Sequence, residues 1–198
     1  GEGGIAVTQD AALADRMRLM SLHGLTRDAW DRYSGGNSWD YRIVAPGYKY
    51  NMTDIAAAIG IHQLRRAEAM RARREAIALA YIEALGDVDG IELPPMDPNR
   101  LHAWHLFPLR LRTGTLRIGR DAFIDELRAL GVGCSVHWRP LHLHPYYETT
   151  FGLGPADLPV ASALFERLVS IPIFSTMENG EVEHVVSALR DVSRRFRR

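Results

Sequence analysis

The chain has 198 residues, and its 24 basic side chains balance its 24 acidic ones, so the formal net charge at pH 7 is zero. A balanced charge argues against a protein whose main partner is nucleic acid or an anionic membrane surface. With 46% apolar and 24% charged residues, the composition is that of a globular protein and excludes disordered and collagen-like classes.

The first residues predict one strand followed by one helix. Ile5–Thr8 is short, apolar and β-branched at its ends, which is typical of a buried strand. Asp10 then precedes a helical stripe formed by Leu13, Met17 and Met20, and its side chain is suited to cap that helix. The pattern predicts a strand and helix of an α/β protein.

The middle of the chain combines a long irregular stretch with a long helix. Residues 23–50 show no periodicity, and Tyr33–Trp39 is rich in glycine with aromatic flanks, which is typical of functional or mobile loops. Thr53 and Asp54 provide a cap and a first-turn negative charge to a helix predicted over Asp54–Leu85. A helix of this length often connects two domains.

Beyond a linker at Pro94–Pro98, strands and helices alternate. The pattern predicts a small α+β domain that follows an α/β domain. Its predicted elements are a strand over Trp104–Leu111, a helix with Phe123, Leu127 and Leu130 on one face, a strand over Val132–Trp138, a helix over Asp157–Leu168, a short edge strand at Ile171–Ile173 and a last helix carrying Val182, Val185, Val186, Leu189 and Phe196.

Cys134 is the only cysteine, so the chain forms no internal disulfide, which fits the reducing conditions of the cytoplasm. No apolar run approaches the roughly 20 residues that a membrane helix needs, and the first residues do not have the order of a signal peptide. We therefore expect a cytoplasmic protein. The chain opens on Gly1 without a methionine, which we interpret as a processing end or a cut within a longer chain.

The segment Tyr48–Asp54 is a candidate anion site. It lies where a loop meets the start of the long helix, and helix N-termini present free N–H groups and partial positive charge. Asn51 adds an amide donor. The alternative is that Asn51 and Thr53 only cap the helix while the tyrosines only pack.

A second candidate site contains several histidines and aromatic residues. His137, His142 and His144 lie within eight residues, and His102 and His105 precede them. Three interpretations remain open: a zinc site, which lacks a neighbouring cysteine or acid to complete it; a site for an anionic or hydroxyl-rich ligand; and simple packing at a strand end. The arginine-rich end at 194–198 is explained by the dipole of the last helix and a solvated face.

Other common catalytic patterns do not occur. There is no nucleophile elbow, no dinucleotide-binding fingerprint and no P-loop, and Cys134 lies in an apolar segment. Lys49 is the only lysine. Lysine chemistry in this chain would therefore have to use that residue.

Five runs of residues form a set of motifs in register: Gly1–Thr8, His23-Gly24, Pro46–Ala58, His102–Phe107 and Val136-His137. Together they resemble the C-terminal half of the DegT/StrS-type sugar aminotransferases, which are pyridoxal-phosphate enzymes of fold type I. The runs closest to the UDP-4-amino-4-deoxy-L-arabinose aminotransferase branch are Tyr48–Asn51 and His102–Phe107. The five motifs are distributed over almost the whole chain.

The resemblance implies an α/β fold made of the end of a large cofactor-binding domain, residues 1–68, and a long connecting helix with a small domain, residues 69–198. It implies transfer of an amino group, commonly from glutamate, to a keto sugar linked to a nucleotide. In this family the Schiff-base lysine stands a few residues before the Gly1–Gly4 run, so we expect no catalytic lysine in this chain and no transamination by the chain alone. Lys49 occupies a different family position.

The resemblance also assigns roles to single residues. Asn51 corresponds to an asparagine that reaches the cofactor phosphate of the other subunit, which implies a homodimer with shared sites. Lys49 lies beside it, His137 matches a histidine near the sugar, and Tyr33 belongs to a loop over the nucleotide side. We expect these three residues, Lys49, His137 and Tyr33, to bind the substrate. We expect no metal, nucleic acid or membrane partner. Two alternatives remain: a dehydratase of the same fold using pyridoxal or pyridoxamine phosphate, and a catalytically inactive ligand-binding or interaction module.

Overall fold

The computed structural model describes residues 2–26 and 42–198 of the chain. These divide into two compact units, Gly1–Arg66, called here the N-terminal unit, and Ala67–Arg198, the C-terminal unit. The loop Tyr33–Trp39, with its candidate residue Tyr33, lies outside the described residues. No helix among the described residues is both long and apolar enough to span a membrane.

The N-terminal unit contains helix α1, Ala11–Ser21, and the start of helix α2, Asp54–Leu85. The predicted cap of α1 is confirmed, because the Asp10 carboxylate accepts hydrogen bonds from the backbone N–H groups of Ala12 and Leu13 at 2.9 and 3.1 Å. The predicted buried strand at Ile5–Thr8 is wrong. Ile5 and Val7 are 78% and 88% exposed, and none of the described residues pairs with this segment.

Helix α2 has 32 residues with the predicted bounds. The hydroxyl of Thr53 accepts a hydrogen bond from the backbone N–H of Ala56 at 3.3 Å, so Thr53 caps the helix as predicted. The two ends of the helix differ in burial. Its first part leaves Ile55 and Ile59 exposed, whereas the apolar side chains that it buries lie in its last three turns and are Ile77, Ala78, Tyr81 and Leu85.

The C-terminal unit is built on a three-stranded antiparallel sheet in the order β1-β2-β3. Strand β1 is Ile91–Glu92, β2 is Phe107–Leu111 and β3 is Leu168–Ile171. The central strand shows strict alternation, with Phe107, Leu109 and Leu111 buried. This alternation directs one face of the sheet into the core.

Four shorter helices also belong to this unit. They are α3, Arg120–Ala129; α4, Pro145–Phe151; α5, Pro159–Phe165; and α6, Asn179–Arg195, with a 3-10 turn at Leu141–Leu143. Helix α6 buries Val182, Val185 and Leu189, as its pattern predicts. Helix α3 contacts both α6 and β3 and buries Phe123 and Leu127. Its predicted third apolar residue, Leu130, is 36% exposed.

Four predicted elements of this unit are wrong in extent or kind. The strand predicted over Trp104–Leu111 begins only at Phe107. Val132–Trp138 is not a strand: only Ser135 pairs, through reciprocal backbone hydrogen bonds of 3.0 and 2.7 Å with Ser170. The strand predicted at Ile171–Ile173 lies earlier, at Leu168–Ile171, because Pro172 has no N–H to continue the ladder. Helix α5 is shorter than predicted since the chain enters β3 at Leu168.

Candidate functional site

The predicted anion segment is an extended stretch fixed to the end of α1. Three backbone hydrogen bonds attach it: Tyr48 N–H donates to Met20 O at 2.7 Å, Tyr50 N–H donates to Ser21 O at 2.8 Å, and His23 N–H donates to Tyr48 O at 2.8 Å. These bonds use backbone groups, which leaves the side chains of the segment available.

Two glycines allow this segment to approach the chain after α1. Gly24 has a positive φ of 69°, and a Cβ atom added to it would lie 1.9 Å from the carbonyl oxygen of Ala45. A Cβ atom on Gly47 would lie 2.1 Å from the backbone nitrogen of Gly24. The backbones therefore cross at a distance that only residues without a Cβ atom permit.

Side chains alternate along the extended segment. The rings of Tyr48 and Tyr50 stack with their centroids 4.9 Å apart and their planes 6° apart. The two residues that alternate with these tyrosines also interact, since the Lys49 ammonium donates a hydrogen bond to the side-chain oxygen of Asn51. Alternation in extended backbone separates the two pairs onto opposite faces.

The Asn51 side chain does not cap α2. Its oxygen accepts from Lys49, and within the described residues its amide nitrogen has no hydrogen-bond acceptor. Both N–H groups of that amide are therefore available to an outside acceptor. Capping of α2 is therefore done by Thr53, and the predicted role of Asn51 in anion binding stays a prediction.

The hydrogen bond between Lys49 and Asn51 was not among the features predicted from the sequence. The signal is present in the spacing, since residues i and i+2 of an extended segment share a face. A lysine has only donors and an asparagine has an acceptor oxygen, so the pair is chemically matched.

His137 belongs to the C-terminal unit and is half-buried. Its Nδ1 atom is shielded from solvent and has no hydrogen-bond partner among the described residues. The ring of Trp138 lies edge-on to it with the centroids 4.5 Å apart, and Trp138 is itself 76% exposed. A shielded ring nitrogen without a partner is a feature that a bound polar group would satisfy.

Two further histidines, His102 and His142, form contacts within the C-terminal unit. The backbone N–H of Trp104 donates to Nδ1 of His102 at 2.8 Å, and the two rings are 4.1 Å apart. His142 is 3% exposed, and its Nε2 atom lies 2.8 Å from the hydroxyl of Ser162. Among the described residues no three His, Cys, Asp or Glu side chains are placed to hold a metal ion.

Trp104 is a further feature that the sequence did not indicate. It is 2% exposed, its φ of 47° is unusual for a bulky residue, and its indole N–H has no acceptor in the described part of the chain. Arg74 of α2 supports this bend by donating from Nε to the carbonyl oxygen of Ala103 at 3.0 Å. The large aromatic core around Phe107 forms on this bend.

Cys134 is not an activated nucleophile. Burial raises the pKa of its thiol from 9.0 to about 11, outweighing the opposite effect of Arg128. Burial also raises the pKa of the Tyr81 phenol, whose hydroxyl donates to the carbonyl oxygen of Pro172 at 2.9 Å. Both groups stay protonated at neutral pH, so neither supplies a charge to a site.

The arginine-rich end is held by ion pairs and carbonyl contacts. Arg195 contacts Glu126 and Asp191 at 3.0 and 2.9 Å, Arg197 contacts Asp89 at 2.7 Å, and Arg198 donates to Leu116 O at 3.1 Å. Most of these contacts join the end of the chain to other parts of its unit. They agree with a structural role for the arginines.

Two curated relatives match almost the whole chain. The protein MJ1066 of Methanocaldococcus jannaschii is 47% identical over 192 residues, which cover 97% of this chain and 50% of that protein. The spore coat polysaccharide biosynthesis protein SpsC of Bacillus subtilis is 42% identical over 193 residues, with the same shares covered. The chain thus spans about half the length of the curated relatives it matches.

Solved structures show the same fold. The Spr1654 protein of Streptococcus pneumoniae, solved in apo, PMP and PLP forms, is 30% identical in the PMP form with a TM-score of 0.81, and the match covers 97% of this chain and 47% of that one. The sugar aminotransferase CalS13 of Micromonospora echinospora is 28% identical with a TM-score of 0.76, covering 92% and 45%.

These matches confirm the α/β fold expected from the resemblance, that of the pyridoxal-phosphate sugar aminotransferases of fold type I. They also confirm the expected cofactor class, since the family depends on pyridoxal phosphate. The sequence profile of the DegT/DnrJ/EryC1/StrS aminotransferase family matches residues 1–190. The chain therefore belongs to the DegT/DnrJ/EryC1/StrS aminotransferase family.

Proposed function

We propose that the chain is part of an enzyme that transfers an amino group, from glutamate, to a keto sugar linked to a nucleotide. The observation that carries this proposal is the Lys49 and Asn51 pair, which leaves two amide N–H donors available beside a positive charge in a member of a pyridoxal-phosphate family. The name of SpsC, a protein of polysaccharide biosynthesis, agrees with a sugar substrate. We place the enzyme in the cytoplasm. The UDP-4-amino-4-deoxy-L-arabinose branch stays a prediction.

The donor set at Asn51 fits the phosphate of pyridoxal phosphate. A phosphate dianion binds well to N–H donors, and the amide of Asn51, whose oxygen is held by Lys49, provides two of them. When bound, pyridoxal phosphate supplies the electron sink for amino-group transfer. In this proposal Asn51 binds the phosphate, and Lys49, which the resemblance places at a different family position, is not the lysine that holds the cofactor.

We assign the substrate side to His137 and Tyr33. His137 supports this role through its shielded Nδ1 atom, which has no partner among the described residues and could bind a sugar hydroxyl. Tyr33, whose position lies outside the described residues, is proposed from the sequence alone to contact the nucleotide side. The division into a large-domain part, residues 1–68, and a small domain, residues 69–198, likewise stays a prediction.

We further propose a homodimer in which Asn51 reaches the cofactor of the partner subunit. The support is the apolar surface of the N-terminal unit. Many exposed apolar side chains in one unit are typical of a surface that another subunit or segment covers. Exposed apolar side chains in this unit include Ile5, Val7, Ile43, Val44, Met52, Ile55, Ile59, Ile61 and Leu64.

The test is Asn51→Ala in the complete protein with its cofactor. Loss of one or two hydrogen bonds to a charged phosphate, about 1.5–3 kcal/mol each, is expected to weaken cofactor binding tenfold or more. Equilibrium dialysis against pyridoxal phosphate measures the dissociation constant. Asn99→Ala, which removes an exposed asparagine of the C-terminal unit, is the matched control and should bind the cofactor like the parent. Equal affinity of both variants would exclude the assigned role of Asn51.

A further inference from the structure

The orientation of the Asn51 amide is determined by its neighbour. An asparagine side chain can rotate by half a turn and present either its oxygen or its nitrogen to a ligand. A lysine ammonium carries only donors, so the contact that the structure shows must use the Asn51 oxygen. Lys49 thereby orients the two amide N–H groups away from itself.

The backbone makes this arrangement persistent. The N–H groups of the flanking residues Tyr48 and Tyr50 donate hydrogen bonds of 2.7 and 2.8 Å to the end of α1. Their rings stack on the opposite face of the segment. Extended geometry on both sides of Lys49 places its side chain and that of Asn51 on one face. The contact is therefore formed before any ligand is present, which lowers the entropy lost when a ligand binds.

We propose that Lys49 is a positioning residue that acts through Asn51: it fixes the amide so that Asn51 presents N–H donors to the cofactor phosphate. This inference rests on the proposed function and replaces the sequence-based expectation that Lys49 contacts the substrate. Lys49 binds the side-chain oxygen, and Asn51 binds the phosphate. Without Lys49 the amide samples both orientations, one of which directs an oxygen at a negatively charged group.

A double-mutant cycle on the complete protein separates positioning from direct binding. Lys49→Met keeps a long side chain and removes the donor. It should raise the dissociation constant for pyridoxal phosphate about threefold to tenfold, the range of one net hydrogen bond. In an Asn51→Ala background the same change should have less than about a twofold effect, because the group through which Lys49 acts is gone.

Two conservative variants sharpen the test. Lys49→Arg retains a donor for the Asn51 oxygen and should keep the dissociation constant within about threefold of the parent. Asn51→Asp should bind the cofactor more weakly than Asn51→Ala, since it replaces the donors by a second negative charge. The phosphorus-31 chemical shift of bound cofactor should change in Lys49→Met and stay near the parent value in Lys49→Arg.

The outcomes distinguish the inference from the function on which it rests. If Lys49→Met weakens cofactor binding equally in both backgrounds, Lys49 contacts the phosphate itself and the positioning role is wrong, while the function stands. If Asn51→Ala leaves cofactor affinity unchanged, the proposed phosphate site is wrong as well. A Lys49→Met protein that binds the cofactor as the parent does also overturns the positioning role.

Discussion

The two units differ in how their helices are stabilised. In the C-terminal unit, residues such as Phe107, Leu127 and Leu189 are fully buried in a single apolar core. In the N-terminal unit, only Gly24 and Ala45 are buried among the described residues, and α1 buries none. There the described structure is held by the Asp10 cap of α1, by backbone hydrogen bonds and by the close approach of the backbones at Gly24 and Gly47. One unit is organised by burial, and the other by local polar and steric contacts.

The largest expected effect tests this contrast directly. Phe107 is fully buried and packs against Tyr81 and Trp104 with ring centroids 5.2 and 5.6 Å away. Phe107→Ala should lower the free energy of unfolding by about 3–5 kcal/mol. Ile55, which is 78% exposed in the N-terminal unit, is the comparison. Ile55→Ala should change the free energy of unfolding by less than about 0.5 kcal/mol.

Urea unfolding of the 198-residue chain, followed by far-ultraviolet circular dichroism, measures both changes. A similar loss for the two variants would mean that Ile55 is buried in a core in solution and that the contrast between the units is incorrect. A loss for Phe107→Ala alone supports the division between a unit with a core and one without.

The same contrast explains which elements the sequence predicted well. The helices at 11–21, 54–85 and 179–195 were predictable because caps and apolar periodicity are local signals. Strands were less predictable, since an apolar segment becomes a strand only when a partner lies beside it. Ile5–Thr8 has no such partner in the described residues, and Val132–Trp138 pairs only at Ser135.

The candidate site was predictable in part for a related reason. Asn51 was identified from its place before a helix and from the family resemblance. The sequence left both capping and anion binding open, and the hydrogen bonds show that Thr53 caps the helix whereas the Asn51 oxygen is bound to Lys49. Trp104, by contrast, carries no sequence signal for its positive φ or its unpartnered indole, because both arise from packing around the bend.

A second prediction concerns the reactivity of the Cys134 thiol, which burial lowers. Because burial raises the pKa of the Cys134 thiol to about 11, thiolate at pH 8 should be about a hundredfold rarer than for a thiol of ordinary pKa 9. Alkylation by iodoacetamide in the folded chain should be slower by about that factor than in urea. A Cys134→Ser variant carrying Ala76→Cys, at an exposed position away from both ends of α2, should react at close to the ordinary rate when folded.

The pH dependence of stability has a definite sign at this residue. The folded state keeps the Cys134 proton to a higher pH than the unfolded state, so the contribution of this thiol to stability is fully present below pH 9. It declines as the pH rises from 9 through about 11. Urea unfolding of the parent and of Cys134→Ser at several alkaline pH values isolates the contribution. Equal pH profiles would show that the thiol is not shielded.

The smallest expected effect sharpens the contrast within the N-terminal unit, where two glycines have opposite surroundings. A Cβ atom on Gly47 would meet the backbone of Gly24 at 2.1 Å, so Gly47→Ala must displace the extended segment and should cost about 1–3 kcal/mol. Gly60 lies inside α2 with nothing within 4 Å of an added Cβ atom. Gly60→Ala should therefore stabilise the helix by about 0.5–1 kcal/mol.

Amide hydrogen exchange measures this difference where it arises. The N–H groups of Tyr48 and Tyr50 donate to α1, so Gly47→Ala should accelerate their exchange by at least about fivefold, whereas Gly60→Ala should leave it unchanged. Unchanged exchange in Gly47→Ala would mean that the glycine crossing does not hold the segment. Accelerated exchange together with weaker cofactor binding would link the crossing to the phosphate site, because the same backbone positions Lys49 and Asn51.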